Sequence, residues 1–351
     1  MHPRACLCGS CGADGDDPGV LDVHYDYAAA RRDPFLSRQD LFRYLPLLPV
    51  DEPVMLLPAG ATPLVSAPRL ASQFGLAALY LKDETRNPTR CLKDRATAIG
   101  VTMAIQSGAT DVYCASAGNA AISLAAFAAH AGLRCHVFVP SYASATRLDW
   151  LRRFGADVHV SAGNYDRAFA EAEQAGAAKG WYRRNCAFNP FLVEGKKTCA
   201  LEIAETITPD FVVAPVGDGC TLGAIGKGFR EARELGIIDR LPRLIGVQAA
   251  GVQPMVARFR GSQDQGAGET EAVSIAVCRP RNALRLLGEL KASGGEMVAV
   301  SDEQIARAQS ALSEHAGIVA EFTSAATLAA IETLDVRDQS GVLVITGGRV
   351  D

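Results

Sequence analysis

Along most of this chain, short apolar runs alternate with longer stretches whose apolar residues recur at helical spacing. ALYLKDE (78–84), TDVYCAS (110–116), RCHVFVP (134–140), ADVHVSAG (156–163), DFVVAPVGDG (210–219), RLIGVQAAG (243–251) and GVLVITGG (341–348) read as strands. Between them CLKDRATAIGVTMAIQSG (91–108), GNAAISLAAFAAHAG (118–132), SATRLDWLRRFG (144–155) and LGAIGKGFREARELG (222–236) read as helices, each closed by a glycine. Strands separated by helices of about 10–15 residues predict βαβ units, hence parallel-rich twisted sheets flanked by helices.

The alternation also predicts the organisation. Residues 94–190 hold two complete strand–helix repeats of their own. The expectation is a small lobe of 94–190 inserted into a large lobe made of 51–93 and 191–351, preceded by an irregular arm of 1–50. A pocket is then expected between the lobes, at the carboxyl ends of the strands. No fixed-period repeat is visible.

Composition narrows the class of protein. Of 351 residues, 48% are hydrophobic and 21% charged, which is ordinary for a globular chain. A net charge of −4 gives no reason to expect nucleic acid as a partner. No apolar run reaches the ~18–20 residues of a membrane span, and MHPRACLCGSCGADGDD lacks the charged-then-apolar order of a signal peptide, so a cytoplasmic protein is expected. Cys91, Cys114, Cys135, Cys186, Cys199, Cys220 and Cys278 are scattered singly among apolar or small residues, as buried thiols are.

Four short segments carry candidate chemistry. Lys93, in NPTRCLKDR (87–95), stands at the start of a helix, where the positive helix end lowers an amine pKa. Position alone favours a plainer reading, a surface lysine paired with Asp94 or Glu84. VGDGCTLG (216–223) joins a strand to a helix through glycines, and backbone N–H groups of such a turn bind phosphate. The turn lacks G-x-G-x-x-G spacing and the G-K-[ST] ending, so it suits a small phosphate ester better than a nucleotide, and Asp218 must point away from the anion. A plain strand-to-helix turn fits it equally. ASAGNAA (115–121) is a second such turn, able to bind a carboxylate or merely capped by Ser116 or Asn119. Thr346, in TGG (346–348), ends the last strand, where doubly wound proteins bind ligands.

The order of these segments, NPT-x-x-x-KDR, then S-x-GN, then GDG, then a terminal TGG, resembles the fold-type-II pyridoxal-phosphate enzymes, within them most closely threonine synthase. GATPLVSAPRLA (60–71), NPFLVEGKKTCALEI (189–203), GFREARELGII (228–238) and EFTSAATLAAI (321–331) add to the resemblance, which spans roughly 53–350. It implies a two-lobed α/β fold, pyridoxal phosphate as cofactor, an amino acid as substrate and a homodimer. It further implies that Lys93 bonds the cofactor as a Schiff base and moves the α-proton, and that Asn119 meets the ring 3-hydroxyl. Ser116, Ala117, Gly118, Asn119 and Ala120 would hold the substrate carboxylate. Gly217, Asp218, Gly219, Cys220 and Thr221 would hold the cofactor phosphate, with Thr346 at the pyridine nitrogen. A neutral hydroxyl there suits elimination and replacement rather than transamination.

The sequence departs from the family in its substrate-facing positions. Gly-Ser-Phe before the lysine is Arg90, Cys91, Leu92. The family arginine before E-G-x-K-T is Leu192, its Asn-Ser pair falls at Cys186 and Ala187 (or Asn185 and Cys186), and E-P-A-S is Glu321, Phe322, Thr323, Ser324. Leucine cannot bind a phosphate dianion, and Arg90 is the expected replacement charge in the substrate site. The resemblance therefore implies elimination or replacement on O-phosphohomoserine or an analogue. Alternatives are a β-replacing synthase, a serine or threonine dehydratase, a cofactor-binding protein without turnover and, against the glycine spacing, a dinucleotide enzyme. Cys8 and Cys11, with Cys6 and His2 near, resemble half of the family's zinc ribbon, and a degenerate, metal-free arm is expected.

Overall fold

The computed structural model describes residues 6–8, 19–33, 35–54, 57–262 and 268–348. Ten strands form two sheets: β1 (Leu64–Ser66), β2 (Ala78–Asp83), β3 (Asp111–Ala115), β4 (Arg134–Val139), β5 (Asp157–Val160), β6 (Tyr182–Arg183), β7 (Phe211–Pro215), β8 (Arg243–Ala249), β9 (Glu296–Val300) and β10 (Ser340–Ile345). The larger sheet has the order β1-β2-β10-β7-β8-β9, the smaller β5-β4-β3-β6. Only the edge strand β1 runs antiparallel, placing Leu64 opposite Lys82. All other pairings are parallel, with β10 central between β2 and β7.

Burial explains why the large-sheet strands read as continuous apolar runs. Helices cover both faces, so every residue of β7 and nearly every residue of β8 and β10 is buried. One face packs on helices Pro68–Phe74, Asp302–Ala316 and Phe322–Ile331. The other packs on Phe191–Ala204, Cys220–Glu234 and Ala283–Ser293. In the small sheet, Lys93–Gln106 and Asn119–Ala131 cover one face and Tyr165–Lys179 the other. This is the expected two-lobed α/β fold.

The sequence pattern did not predict β1 and β6, of three and two residues, or the edge strand β9. The arm also differs from expectation. Leu41, Tyr44 and Leu47 of the turn-like helix Leu41–Leu47 are fully buried. Asp22 pairs with Lys227 at 3.0 Å and Arg285 at 2.8 Å, while Tyr25 donates to Glu194 at 3.0 Å. Residues 19–33 and 35–50 thus dock on both lobes: Tyr44 and Leu47 join the large-sheet core, while Leu41, Phe42, Leu48 and Val50 join the small-sheet core. Two cysteines depart from the buried expectation: Cys278 is exposed and Cys186 half-buried. No helix among the described residues is long and apolar enough to cross a membrane.

Candidate active site

The carboxyl ends of β3, β7 and β10 converge on one solvent-open cleft of about 160 Å³. Lys93 is the first residue of helix Lys93–Gln106, and its turn is tied to β10, since Leu92 N–H donates to Thr346 O at 2.8 Å. The expected partners of a surface lysine are engaged elsewhere. Asp94 accepts from the backbone and hydroxyl of Thr89, and Glu84 accepts from Arg95 at 2.7 Å. Lys93 lines the cleft, and its amine makes no hydrogen bond or ion pair with the described residues. Burial, then the nearby Lys196 and Arg184 charges, push its pKa below the ordinary lysine value.

The glycine turn has the build of an anion cradle. Gly219 stands at φ 89° and caps helix Cys220–Glu234 without a side-chain bond, so the first N–H groups of the helix face the cleft unblocked. A Cβ at Gly219 would lie 2.9 Å from Asn282 O, and one at Gly217 would lie 3.1 Å from Val277 Cγ2, so only glycine leaves the turn its shape. The Asp218 carboxylate turns to the Arg281 N–H at 3.3 Å, which is how an acid is tolerated there.

The other two turns close the cleft. Ser116 Oγ accepts from Gly118 N–H at 3.1 Å, leaving helix Asn119–Ala131 without the side-chain cap that a plain turn would have. Asn119 donates through Nδ2 to Glu321 at 2.8 Å. Burial raises the Glu321 carboxyl pKa, against the hydrogen bond from Asn119 and the charge of Lys93. Thr346 Oγ1 lies 3.0 Å from Ser324 Oγ, which also contacts the Gly347 backbone.

Lys93, Ser116, Asn119, Ala120, Gly217, Asp218, Gly219, Cys220, Thr221 and Thr346 all line the cleft. Ala117 and Gly118 do not, and the Ala117 carbonyl accepts from Arg147. Arg90 is a correction. It is exposed, sits at φ 62° and lies outside the lining, because its residue is spent on a tight turn between Asn87 and Gly348. Leu192 is fully buried against Gly100 of the lysine helix and does not line the cleft.

The charges of the cleft come from residues the sequence did not single out. Arg184 is 4% exposed and donates to Thr97 Oγ1 and Lys93 O; Lys196 is 2% exposed and lies 3.4 Å from Thr221 Oγ1. Neither forms a salt bridge with a described residue, and a buried charge without a carboxylate partner is costly, so the pair fits a bound anion. The phosphate turn therefore does have a lysine beside it. A hydrogen bond from Cys220, helped by Lys196, Arg184 and Lys93, holds the Cys186 thiol well below its usual pKa. Arg184 and Lys196 gave no signal of their own in the sequence, since each stands beside a second basic residue, Arg183 and Lys197, that pairs elsewhere. Of the residues weighed for a metal in the arm, His2 and Cys11 lie outside the described residues.

An ester carrying both a phosphate and an aldehyde would satisfy cradle, buried cations and free amine together, and that defines the class: a two-lobed α/β enzyme built around pyridoxal phosphate. The chain belongs to the pyridoxal-phosphate dependent enzyme family, whose model matches residues 55–347. It is 36% identical over 362 residues to the threonine synthase of Methanocaldococcus jannaschii, covering 97% of this chain and 87% of that one. To the threonine synthase of a Synechocystis strain it is 35% identical over 315 residues, covering 87% and 81%. The fold is also similar to a fungal L-serine ammonia-lyase from Rhizomucor miehei, with TM-score 0.74 at 20% identity over 84% of this chain and 95% of the other. A processed threonine deaminase from Solanum lycopersicum gives TM-score 0.71 at 20% identity, over 83% and 80%. The chain is thus a pyridoxal-phosphate enzyme acting on an amino acid by elimination or replacement.

Proposed function

We propose that this enzyme eliminates an anionic leaving group from an amino acid and replaces it, with O-phosphohomoserine or a close analogue as the substrate. The observation that carries this reading is the pair Arg184 and Lys196, buried in the cleft without carboxylate partners. The cofactor phosphate in the Gly217–Thr221 turn neutralises part of that charge, and a second anion on the substrate would take the rest. The identity to threonine synthases points the same way.

Bound pyridoxal phosphate supplies the electron sink for chemistry at the α-carbon. Lys93 would hold the cofactor covalently, and its Nζ would serve as the base for the α-proton; its depressed pKa favours the neutral amine. The Ser116–Ala120 turn binds the substrate carboxylate through N–H groups at the start of helix Asn119–Ala131. Asn119, which donates to Glu321, would meet the cofactor ring, and Thr346, which contacts Ser324, would offer the ring nitrogen a neutral hydroxyl. Gly217, Asp218, Gly219, Cys220 and Thr221 hold the phosphate. The working unit is a homodimer.

A second reading, a β-replacing synthase or a serine or threonine dehydratase, is favoured by the thiol of Cys186 and by Leu192, which stand where the family places polar and basic groups. Retention of the free amine at Lys93 weighs against a binding protein without turnover. The test is a spectral titration of the yellow holoenzyme with O-phosphohomoserine, O-phosphoserine, serine and threonine, with phosphate and ammonia assays. A spectral shift and phosphate release with O-phosphohomoserine support the first reading. Turnover only of the others establishes the second, and no shift with any overturns both.

A further inference from the structure

Away from the cleft, at the edge of the small sheet, three potential metal ligands share one face. The order β5-β4-β3-β6 makes β5 the edge strand. Its register sets Asp157 opposite His136 and His159 opposite Phe138. Paired and diagonal positions of neighbouring strands bring side chains of one face within reach of each other. Asp157 Oδ2 lies 3.3 Å from His136 Nδ1 and 3.3 Å from His159 Nε2, and the three ligand atoms all lie within 4.8 Å of one another.

Both ring nitrogens that face Asp157 lack a hydrogen-bond partner among the described residues. On its far side, His136 Nε2 is 2.9 Å from Asp111 Oδ1. With Nε2 engaged by Asp111, Nδ1 is the ring nitrogen turned towards Asp157. His136 is 9% exposed.

We propose that His136, Asp157 and His159 bind a divalent transition ion of the zinc class, with water in the fourth position. Tetrahedral zinc with bonds of about 2.0–2.1 Å places its ligand atoms roughly 3.3 Å apart, the separation found for both histidine–carboxylate pairs. Two imidazoles and one carboxylate suit zinc better than calcium or magnesium. Asp111 supplies the outer carboxylate that commonly fixes the tautomer of a metal-binding histidine. Ring orientation is already set: Trp181 stacks on His136 with centroids 3.7 Å apart, and Phe138 on His159 at 4.5 Å. Asp157, with a side chain 63% exposed, leaves the site open to solvent. The ion would staple the edge strand β5 to β4, on the sheet that carries the Ser116–Ala120 turn.

The holoenzyme, stripped with chelator and dialysed, is titrated calorimetrically with zinc alone, and its melting temperature is followed with and without the ion. The expected result is one equivalent bound and a raised melting temperature. His159→Gln and Asp157→Asn, at partly exposed side chains, should each weaken binding at least ~100-fold, and Asp111→Asn ~10–100-fold through orientation. Unchanged absorbance of the bound cofactor serves as the folding control. Cobalt in place of zinc should give the weak visible bands of nitrogen and oxygen ligands, and this readout needs only the wild-type chain. An intense sulfur-to-cobalt band, undiminished binding in His159→Gln or Asp157→Asn, or no binding by the wild type would each overturn the proposal.

Discussion

Asn119, at the first turn of a small-lobe helix, donates through Nδ2 to Glu321 of the large lobe at 2.8 Å, so one hydrogen bond bridges the two walls of the cleft. Glu321 is in turn held by its backbone N–H on Gly347 O at 2.9 Å, one residue beyond Thr346. Glutamine at 321 can still accept from Asn119, whereas alanine cannot. Glu321→Gln is expected to keep most of kcat/KM and Glu321→Ala to lose about tenfold, which corresponds to roughly 1.4 kcal/mol of transition-state stabilisation. Steady-state kinetics of the two variants check this.

Lys93→Ala should abolish the yellow colour that borohydride bleaches and lower turnover by about 10²–10⁴-fold, the usual contribution of a positioned proton-transfer group. Lys93→Arg should do no better, because a guanidinium stays protonated. Mass spectrometry after hydride trapping places the adduct.

Removing a neighbouring cation should move the lysine pKa upward. The amine of Lys93 is depressed by burial, then by Lys196 and Arg184. Lys93 bonds the cofactor only as the neutral amine, so the rate of cofactor uptake by the apoenzyme rises with pH through that pKa. In Lys196→Gln the rise should occur at higher pH than in the wild type. Uptake rates across a pH series, fitted for midpoint and amplitude separately, distinguish this from weaker phosphate binding.

Gly219→Ala should damage the cradle rather than the fold. It forces a side chain onto φ 89° and against Asn282 O, at a cost of about 1–3 kcal/mol. Cofactor affinity is expected to fall at least tenfold, measured by absorbance titration of apoenzyme.

The docking of the arm should depend on pH through Asp22. Burial opposes its charge, but Lys227 and Arg285 hold its pKa at about 2, below the unfolded value of ~3.9. A depressed carboxylate contributes its stability fully above the unfolded pKa and loses it as pH falls through the folded pKa. Asp22→Asn should therefore destabilise by about 1 kcal/mol near neutral pH, a value discounted for partial exposure. The gap to wild type should narrow as pH falls from about 4 towards 2, as read by urea denaturation.

Linear signals sufficed for the parts of this protein that repeat or turn. Apolar runs disclosed β2–β5, β7, β8 and β10, and terminal glycines most helices; burial on both sheet faces leaves a continuous apolar record in β7, β8 and β10. NPTRCLKDR, ASAGNAA, VGDGCTLG and TGG could be marked as ligand-binding turns, because each places small residues or a lone polar group at a strand or helix end, and the cleft gathers residues from all four. Tertiary structure alone decided which charges meet the ligand. Arg90 sits near Lys93 in sequence yet is exposed and does not line the cleft, while Arg184 and Lys196, distant along the chain, enter it where strands of both sheets end. His136 and His159 likewise meet only through the register of β4 on β5. Periodicity records which side of an element is buried; it does not record which elements are neighbours, and electrostatics depends on neighbours.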